Sequence, residues 1–254
     1  MKLRTLLLDL GGVFYQGADL IPGALDALAR LRGSGLALRF VTNTTRQSRA
    51  ELLQALAGRG LAVAADELLT PAAAACDLLR ARGLRPLLLI HPGLAPDFAG
   101  LDTADPNAVV VGDAGEYFSY AGLNRAFRLL HAGAPLLALG RNRYFQESDG
   151  LSLDAGPFVA ALEYAAGVEA ELLGKPSPAL FAAALRATAC PPAAAAMIGD
   201  DVEADVNGAI AAGLRGMLVR TGKYRPGDEA HLAPGGEVAD DIGAAVTRLG
   251  ITRS

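Results

Sequence analysis

Short, continuously apolar segments that alternate with helical patterns constrain the fold of this chain more than any other feature. Residues 5–10 read TLLLDL, residues 36–42 read LALRFVT, and the apolar residues between them recur at helical spacing. A strand buried on both faces of a parallel sheet has this continuous apolar pattern. Further strands are predicted at residues 68–70, 170–173, 195–198 and 215–219, with helices at 178–187 and 202–212. We therefore predict an α/β fold built on one doubly wound, mostly parallel sheet.

The stretch between the two halves of this pattern predicts a second, smaller domain. It contains strand-like segments of its own, PLLLI, NAVVVG and PLLALG, separated by helical patterns. A chain of 254 residues with 52% hydrophobic content is long enough for a core domain and an insertion. We predict residues 1–83 as the first part of the core, 84–169 as an inserted α/β domain, and 170–254 as the second part of the core.

Charge and composition favour a small ligand over a polymer or a membrane. The net charge is −4, and no cluster of Lys and Arg with interleaved aromatic residues occurs, so we predict neither a nucleic-acid surface nor a membrane surface. Asp9 interrupts the N-terminal apolar run, which is then too short for a signal sequence or a membrane span. A cytoplasmic location is expected, with Cys76 and Cys190 as buried free thiols.

Four groups of polar residues each follow a predicted strand. They are Asp9, the pair Thr42 and Asn43, Lys175, and the acidic group Asp200, Asp201 and Asp205. The carboxyl ends of strands in an open α/β sheet line the ligand crevice, so we expect these groups to meet at one edge. A single aspartate at a strand end is more often a turn former or a helix cap. The combination, however, suits phosphoryl transfer, in which negative charge must be held in place and neutralised.

Each of these residue types has a role in such a site. Asp9 is predicted to be the nucleophile and, with Asp200, a magnesium ligand, because Mg²⁺ prefers hard carboxylate oxygens. Lys175 is expected to neutralise both the phosphate and the nucleophilic carboxylate. The Thr42 hydroxyl and the Asn43 backbone N–H are suited to binding phosphate oxygens.

The three aspartates of the acidic group are expected to have different roles, one as a metal ligand and two beside the metal ligands. In the sequence GDDVEAD, Asp200 lies at the strand end and is the expected ligand. Asp205 lies about one helical turn further on, where it can orient metal-bound water or Lys175. Asp201 is expected to cap the following helix. Both residues are therefore placed next to the metal ligands and not among them.

These motifs together resemble those of the haloacid dehalogenase (HAD) superfamily. The resemblance lies in an apolar strand leading into DLGGV, a Thr-Asn pair after the second strand, GKPSP, and GDDVEAD. The whole inserted domain separates Asn43 from Lys175, which resembles the C2-capped, type IIA branch. The segments RFVTNTTRQS, DAGEYFSYAGLNRAF and VRTGKYRPGDE add to the likeness, in particular to branch members that hydrolyse phosphoramidates and pyrophosphate.

The resemblance implies a fold, an activity and a cofactor. It implies a Rossmann-like core with a smaller C2 cap, a phosphatase that forms a phosphoaspartate on Asp9, and Mg²⁺ as cofactor. The backbone carbonyl of Gly11 would be a further metal ligand. Arg141 and Asn142 follow the cap segment PLLALG, where this branch often places a substrate-facing loop. A homodimer formed through the cap is also implied.

One position departs from the family pattern. Most HAD phosphatases have a second aspartate two residues after the nucleophile, as general acid and base, but here that residue is Gly11. General acid catalysis typically contributes about 10²- to 10⁴-fold in rate. We therefore expect good leaving groups to be favoured over alkyl phosphates. Such substrates are pyrophosphate, aryl phosphates and phosphoramidates such as phosphohistidine or phospholysine.

Three other functions compete with this interpretation. A haloalkanoate dehalogenase shares the aspartate nucleophile but needs no metal, and the acidic group at residues 200–205 speaks against it. A phosphonatase needs a Schiff-base lysine in its cap, and no lysine occurs between Leu84 and Gly167. The third alternative is a catalytically weak phosphate- and metal-binding regulatory protein that has lost its general acid.

Overall fold

The computed structural model describes residues 2–147 and 150–251. The strands are β1 (Thr5–Leu8), β2 (Tyr15–Gln16), β3 (Asp19–Leu20), β4 (Ala37–Val41), β5 (Leu68–Leu69), β6 (Pro86–Leu89), β7 (Ala108–Val111), β8 (Leu136–Ala138), β9 (Tyr144–Glu147), β10 (Gly150–Leu153), β11 (Glu171–Leu172), β12 (Ala195–Gly199), β13 (Arg215–Val219) and β14 (Glu237–Ala239). The α-helices are α1 (Ala24–Gly33), α2 (Arg49–Gly58), α3 (Pro71–Arg82), α4 (Ala95–Phe98), α5 (Tyr120–His131), α6 (Ala155–Ala166), α7 (Pro178–Arg186), α8 (Gly208–Ala211) and α9 (Ile242–Arg248). In this part of the chain no helix is both long enough and apolar enough to span a membrane.

The chain forms two compact units. The first unit contains Met1–Thr42, Leu53–Leu69 and Lys175–Ser254, and the second contains Asn43–Leu52 and Thr70–Gly174. The contacts thus group α3 and residues 43–52 with the inserted segment. The predicted division into domains at residues 84 and 170 stays a prediction.

The first unit is built on a six-stranded parallel sheet in the order β14-β13-β12-β1-β4-β5. The central strand β1 pairs with β12 on one side and with β4 on the other, and all four of its residues are buried. From β1 the chain moves outward to β4 and β5; it later returns at β12 and moves outward in the opposite direction. This confirms the predicted doubly wound sheet. The strand order changes direction between β1 and β12, and ligands bind at this point in such folds.

The prediction that residues 170–173 belong to this sheet is wrong. They form β11, which pairs in parallel with β8 of the second unit, with Leu172 opposite Ala138. Lys175 therefore follows a strand of the second unit and lies just before α7. The outer strand of the core sheet is instead β14, which pairs with β13 and was not predicted. A short apolar run indicates a strand, but it does not tell which sheet the strand joins.

The second unit has a four-stranded parallel sheet in the order β11-β8-β7-β6. Consecutive residues of a strand point to opposite faces of a sheet, and the two hydrophobic clusters of this unit follow that rule. Val110 of β7 packs with residues of α3 and α4. Its neighbours Val109 and Val111 pack with residues of α5 and α6. Both faces of the sheet are thus covered by helices, which confirms an inserted α/β domain.

Local sequence signals predict where α2 starts. They do not predict that the helix after β12 begins with a π-helical turn. The Ser48 N–H donates to Glu51 Oε2 at 2.9 Å, and the Glu51 N–H donates to Ser48 Oγ at 3.3 Å, which is the capping box that a serine followed three residues later by a glutamate indicates. By contrast, the helix predicted at residues 202–212 begins as a π-helical turn, Val202–Asn207, and only then continues as α8. Such turns are frequent at functional sites.

Candidate active site

The Lys175 ammonium joins two carboxylates from distant segments of the first unit. Its Nζ lies 2.5 Å from Asp9 Oδ1 and 2.6 Å from Asp205 Oδ1. The three residues are only 5%, 7% and 1% exposed, respectively. Burial lowers the pKa of Lys175, but the charges of Asp205 and Asp9 and the hydrogen bonds to them shift it upward overall. The ammonium therefore stays charged and holds both carboxylates in place.

Asp200 is enclosed by backbone at the end of β12. Its Oδ2 accepts a hydrogen bond from the Lys223 backbone N–H at 2.7 Å. A Cβ atom on Gly12 would lie 1.9 Å from this oxygen, and a Cβ atom on Gly222 would lie 2.1 Å from it. Both glycines also have a positive φ, +77° and +64°, which other residues rarely adopt. Glycine at these two positions is what leaves room for the carboxylate.

The loop after β13 takes part in the site, and sequence reasoning missed it. Thr221 Oγ1 donates to the Gly12 backbone oxygen at 2.5 Å, and Lys223 Nζ lies 3.1 Å from Asp201 Oδ2. The loop thus connects the segment after β1 with the acidic segment after β12. A signal was present in the sequence, because TGKY follows a predicted strand of the same sheet and its carboxyl end faces the same edge.

Asp201 caps the π-helical turn, which is the role expected from the sequence. Its Oδ1 accepts from the Ala204 N–H at 2.9 Å. Burial raises the pKa of Asp201, but the Lys223 charge and the hydrogen bond from Ala204 lower it overall. The Asp201 N–H in turn donates to Asp205 Oδ2 at 3.2 Å. The turn therefore leaves the other oxygen of Asp205 to Lys175.

Asp9, Asp200 and Asp205 form a buried acidic cluster that fits a divalent cation. Each can offer one oxygen so that these atoms all lie within 4.8 Å of one another. Burial, and then the charges of Asp9 and Asp205, raise the pKa of Asp200 to about 8. Burial also raises the pKa of Asp205 to about 6, although Lys175 opposes the shift. Lys175 contacts two of the three carboxyl groups, and hard oxygen ligands of this kind suit Mg²⁺.

The two phosphate-binding candidates after β4 fall in different units. Thr42 belongs to the first unit and is 4% exposed, and its backbone N–H donates to Leu69 O at 3.2 Å. It lies at the carboxyl end of β4, the strand next to β1. Asn43 is the first residue of the second unit, where its Oδ1 lies 2.8 Å from the Cβ position of Gly174. The fold thus brings Thr42 to the sheet edge that also carries Asp9.

Arg141 and Asn142 lie in the loop between β8 and β9 of the second unit. Arg141 pairs with Glu163 of α6 at 2.5 Å, and the Asn142 backbone oxygen accepts from the Gly156 N–H at 3.0 Å. This loop is therefore packed against α6. Contact between either side chain and a substrate stays a prediction.

Gly11 has open space around it, two residues after Asp9. A Cβ atom on Gly11 would meet no atom of the described residues within 4 Å, in contrast to the crowded position at Gly12. A side chain could therefore be accommodated at Gly11, and none is present. The general acid of the family is therefore absent at this position, and no side chain of another described residue fills the space.

The site combines a buried aspartate, a lysine and an acidic cluster that could hold a cation, and it lies at the switch point of a doubly wound sheet. Family models that match this chain describe hydrolases. Residues 6–103 match the family model described as haloacid dehalogenase-like hydrolase, and residues 172–245 match the model described as HAD-hydrolase-like. The human phospholysine phosphohistidine inorganic pyrophosphate phosphatase is 48% identical over 235 residues, which are 90% of this chain and 87% of that protein. The chain therefore belongs to the haloacid dehalogenase superfamily and is a phosphatase of that superfamily.

Solved structures agree with this assignment. The 4-nitrophenylphosphatase of Thermotoga maritima superposes with a TM-score of 0.87 and 28% identity, covering 96% of this chain and 97% of that one. The glycerol phosphate phosphatase of Mycobacterium tuberculosis, solved in complex with magnesium, has a TM-score of 0.84 and 29% identity, covering 95% of this chain and 76% of that one. The fold and family inferred from the motifs are thus confirmed.

We expect the metal-free protein to lose stability as the pH rises from 6 to 8 and Mg²⁺ to restore it. The pKa of Asp200 is raised from 3.8 to about 8 on folding, so between these values the folded state binds more protons than the unfolded state. A rise in pH then opposes folding, by up to about 1.4 kcal/mol per pH unit for one proton. Thermal unfolding at pH 6 and pH 8, in EDTA and in Mg²⁺, would measure both effects.

Asp200→Asn removes the titrating carboxyl and should flatten the pH dependence in EDTA. Asp19→Asn changes an exposed aspartate of the same unit and should leave it as in the wild type. An identical pH dependence in the wild type and in Asp200→Asn would contradict the assignment.

Proposed function

We propose that this phosphatase is magnesium-dependent, forms a phosphoaspartate on Asp9, and acts on small phosphorylated substrates with good leaving groups. The observation that carries the proposal is the buried contact of Lys175 with Asp9 and Asp205 beside Asp200. An aspartate held by an ammonium next to a cation-binding cluster has what phosphoryl transfer requires, namely positioning and charge neutralisation.

In the first step an Asp9 carboxylate oxygen attacks phosphorus, and the bond from phosphorus to the leaving group breaks with its electron pair on the leaving atom. In the second step water attacks the phosphoaspartate, which releases phosphate and restores the carboxylate. Lys175 neutralises charge on Asp9 and on the phosphate in both steps. Thr42 and Asn43 would bind the remaining phosphate oxygens. Binding of the substrate by Arg141 and Asn142 is part of the same proposal.

The metal would be held by Asp9, by the Gly11 backbone carbonyl and by Asp200, with Asp205 and Asp201 orienting the surrounding groups. A bound Mg²⁺ would compensate negative charge on the carboxylates and the phosphate. The magnesium complex of the Mycobacterium tuberculosis phosphatase supports this choice of ion. So does the cluster of three buried carboxyl groups in this site.

The substrate preference follows from the open space at Gly11. Because no carboxylic acid is present there, a leaving group must depart with little help, so pyrophosphate, aryl phosphates and phosphoramidates should react fastest. The name of the human relative, which includes phospholysine, phosphohistidine and pyrophosphate, supports this preference. The glycerol phosphate phosphatase among the structural relatives represents the opposite preference.

We expect pyrophosphate, p-nitrophenyl phosphate and phosphoimidazole to be hydrolysed at least about 10²-fold faster than glycerol phosphate, the lower limit of a typical general acid contribution. Initial rates of phosphate release at equal substrate concentrations would be measured with Mg²⁺ and with EDTA. Faster hydrolysis of glycerol phosphate would show that the leaving-group argument is wrong. Rates that do not depend on the metal would instead favour the regulatory binding protein.

We also propose a homodimer formed through the second unit. The antiparallel pair β9 and β10 exposes Tyr144 and Leu153, which lie opposite each other in the two strands, and also Leu151. Exposed apolar patches of this kind often mark protein interfaces. The molar mass in solution, from light scattering, would decide between monomer and dimer. The cytoplasmic location stays a prediction.

A further inference from the structure

Tyr15 lies beside the open space at Gly11. It begins β2, and its backbone forms a β-bridge with Gly11. The Gly12 N–H donates to the Tyr15 backbone oxygen at 2.7 Å. The chain therefore folds back directly after Asp9, and the backbone of an aromatic hydroxyl residue lies next to Gly11, where the family's acid is missing.

The ring of Tyr15 is held in place by Arg59. The guanidinium carbon lies 4.8 Å from the ring centroid, which is within the range of a cation–π contact. Arg59 also donates to Ala55 O of α2 at 3.0 Å and to Gly17 O in the β2–β3 turn at 3.2 Å. Arg59 thus holds the ring against α2 and the β2–β3 turn.

The Tyr15 hydroxyl is a hydrogen-bond donor without a protein acceptor. The residue is partly buried, and the structure gives its hydroxyl no hydrogen bond to any residue in 2–147 or 150–251. Burial, and then the negative charge of Asp9, raise the pKa of Tyr15. The proton therefore stays on the phenol at neutral pH, and the backbone bridge to Gly11 places Tyr15 next to the segment that follows Asp9.

We propose that the Tyr15 hydroxyl donates a hydrogen bond to the leaving-group atom of the substrate, across the space that Gly11 leaves open. The inference rests on the proposed function and adds a residue to it. As the Asp9–phosphorus bond forms, the bond to the leaving atom breaks and its electron pair stays on that atom. Tyr15 stabilises the developing charge while keeping its own proton. The departed group then takes a proton from water.

A hydrogen bond of this kind matters most where the leaving atom carries the most charge. Tyr15→Phe removes only the hydroxyl and keeps the ring under Arg59. We expect it to lower kcat/KM for benzyl phosphate about 10-fold, which corresponds to about 1.4 kcal/mol. The loss for p-nitrophenyl phosphate should be less than about 2-fold, because the nitro group already disperses the charge.

The experiment measures kcat/KM with Mg²⁺ for p-nitrophenyl, phenyl and benzyl phosphate in the wild type and in Tyr15→Phe. Tyr164→Phe is the matched control, since Tyr164 is 93% exposed on the second unit, and it should change none of the three values. The expected result is a steeper dependence on the leaving group in Tyr15→Phe only. An equal loss on all three substrates, or no loss, would overturn the proposal.

A second variant keeps the test independent of the folding of Tyr15→Phe. Gly11→Asp places a carboxylic acid in the open space, and hydrolysis of benzyl phosphate should rise. In that background the effect of Tyr15→Phe should shrink to less than about 2-fold, because both groups act on the same atom. Additive effects would mean that Tyr15 acts elsewhere. A wild type without metal-dependent hydrolysis of any of these substrates would refute the proposed function itself.

Discussion

Asp9→Asn is expected to lower kcat for p-nitrophenyl phosphate by at least about 10⁴-fold, as the loss of a nucleophile does in other enzymes. The carboxamide is isosteric with the carboxylate but cannot form the phosphoaspartate. Lys175 keeps its other partner, Asp205, so the rest of the cluster should stay in place. The measurement is steady-state turnover at saturating Mg²⁺, together with acid-quenched protein analysed for covalently bound phosphate.

Two controls separate chemistry from folding. Asp19→Asn replaces an exposed aspartate of the neighbouring β3 and should keep full activity. The metal-free Asp9→Asn protein should still unfold cooperatively, because the carboxamide fills the same space and Lys175 keeps its contact with Asp205. If Asp9→Asn turned over at the wild-type rate with and without Mg²⁺, Asp9 would not be the nucleophile.

Lys175→Met is expected to damage both stability and activity. It removes the only ammonium in contact with Asp9 and Asp205 among the described residues and leaves the carboxylates buried without it. Breaking one side of a buried ion pair typically costs about 3–5 kcal/mol. Urea unfolding in EDTA should show a loss of this size, and Mg²⁺ should recover part of it. Turnover should fall at least about 10²-fold, the usual effect of losing one charge-stabilising group.

A second substitution in the same cluster tests whether the unpaired carboxylates cause the loss of stability in Lys175→Met. In Lys175→Met with Asp205→Asn, one unpaired carboxylate is gone, so stability should be partly restored while activity stays low. Lys2→Met removes an exposed lysine of the same unit and should affect neither quantity. No difference in unfolding between the single and the double variant would show that the Lys175–Asp205 contact does not stabilise the fold.

Sequence reasoning succeeded where a signal is local. The apolar runs at β1, β4, β12 and β13 predict buried strands correctly, and the capping box at Ser48 predicts the start of α2. The candidates Asp9, Lys175 and Asp205 lie far apart in the chain and meet in one cluster. They could be found because polar residues at strand ends share an edge in this type of sheet.

The errors concern pairing and backbone approach, which a sequence pattern does not specify. The run at residues 170–173 predicts a strand, but its partner β8 is set by the packing of the second unit. The contact of Lys223 with Asp200 is made by a backbone N–H, and every residue type except proline has that group. Likewise, the close approach of Gly222 to Asp200 depends on two loops meeting. The position of TGKY after a predicted strand indicates that the loop lies at the same edge, but it does not specify either contact.

Adjacent glycines after the nucleophile differ completely in their freedom to change. At Gly12 the smallest added atom would collide with the Asp200 carboxylate, whereas at Gly11 an added atom meets nothing. Under the proposed function, mutations at residue 11 would therefore alter which phosphate esters are hydrolysed while Asp9, Asp200 and Asp205 keep their positions. Evolution or protein engineering can therefore change residue 11 to alter the substrate preference. Gly12 has to stay a glycine, because the Asp200 carboxylate occupies the space next to it.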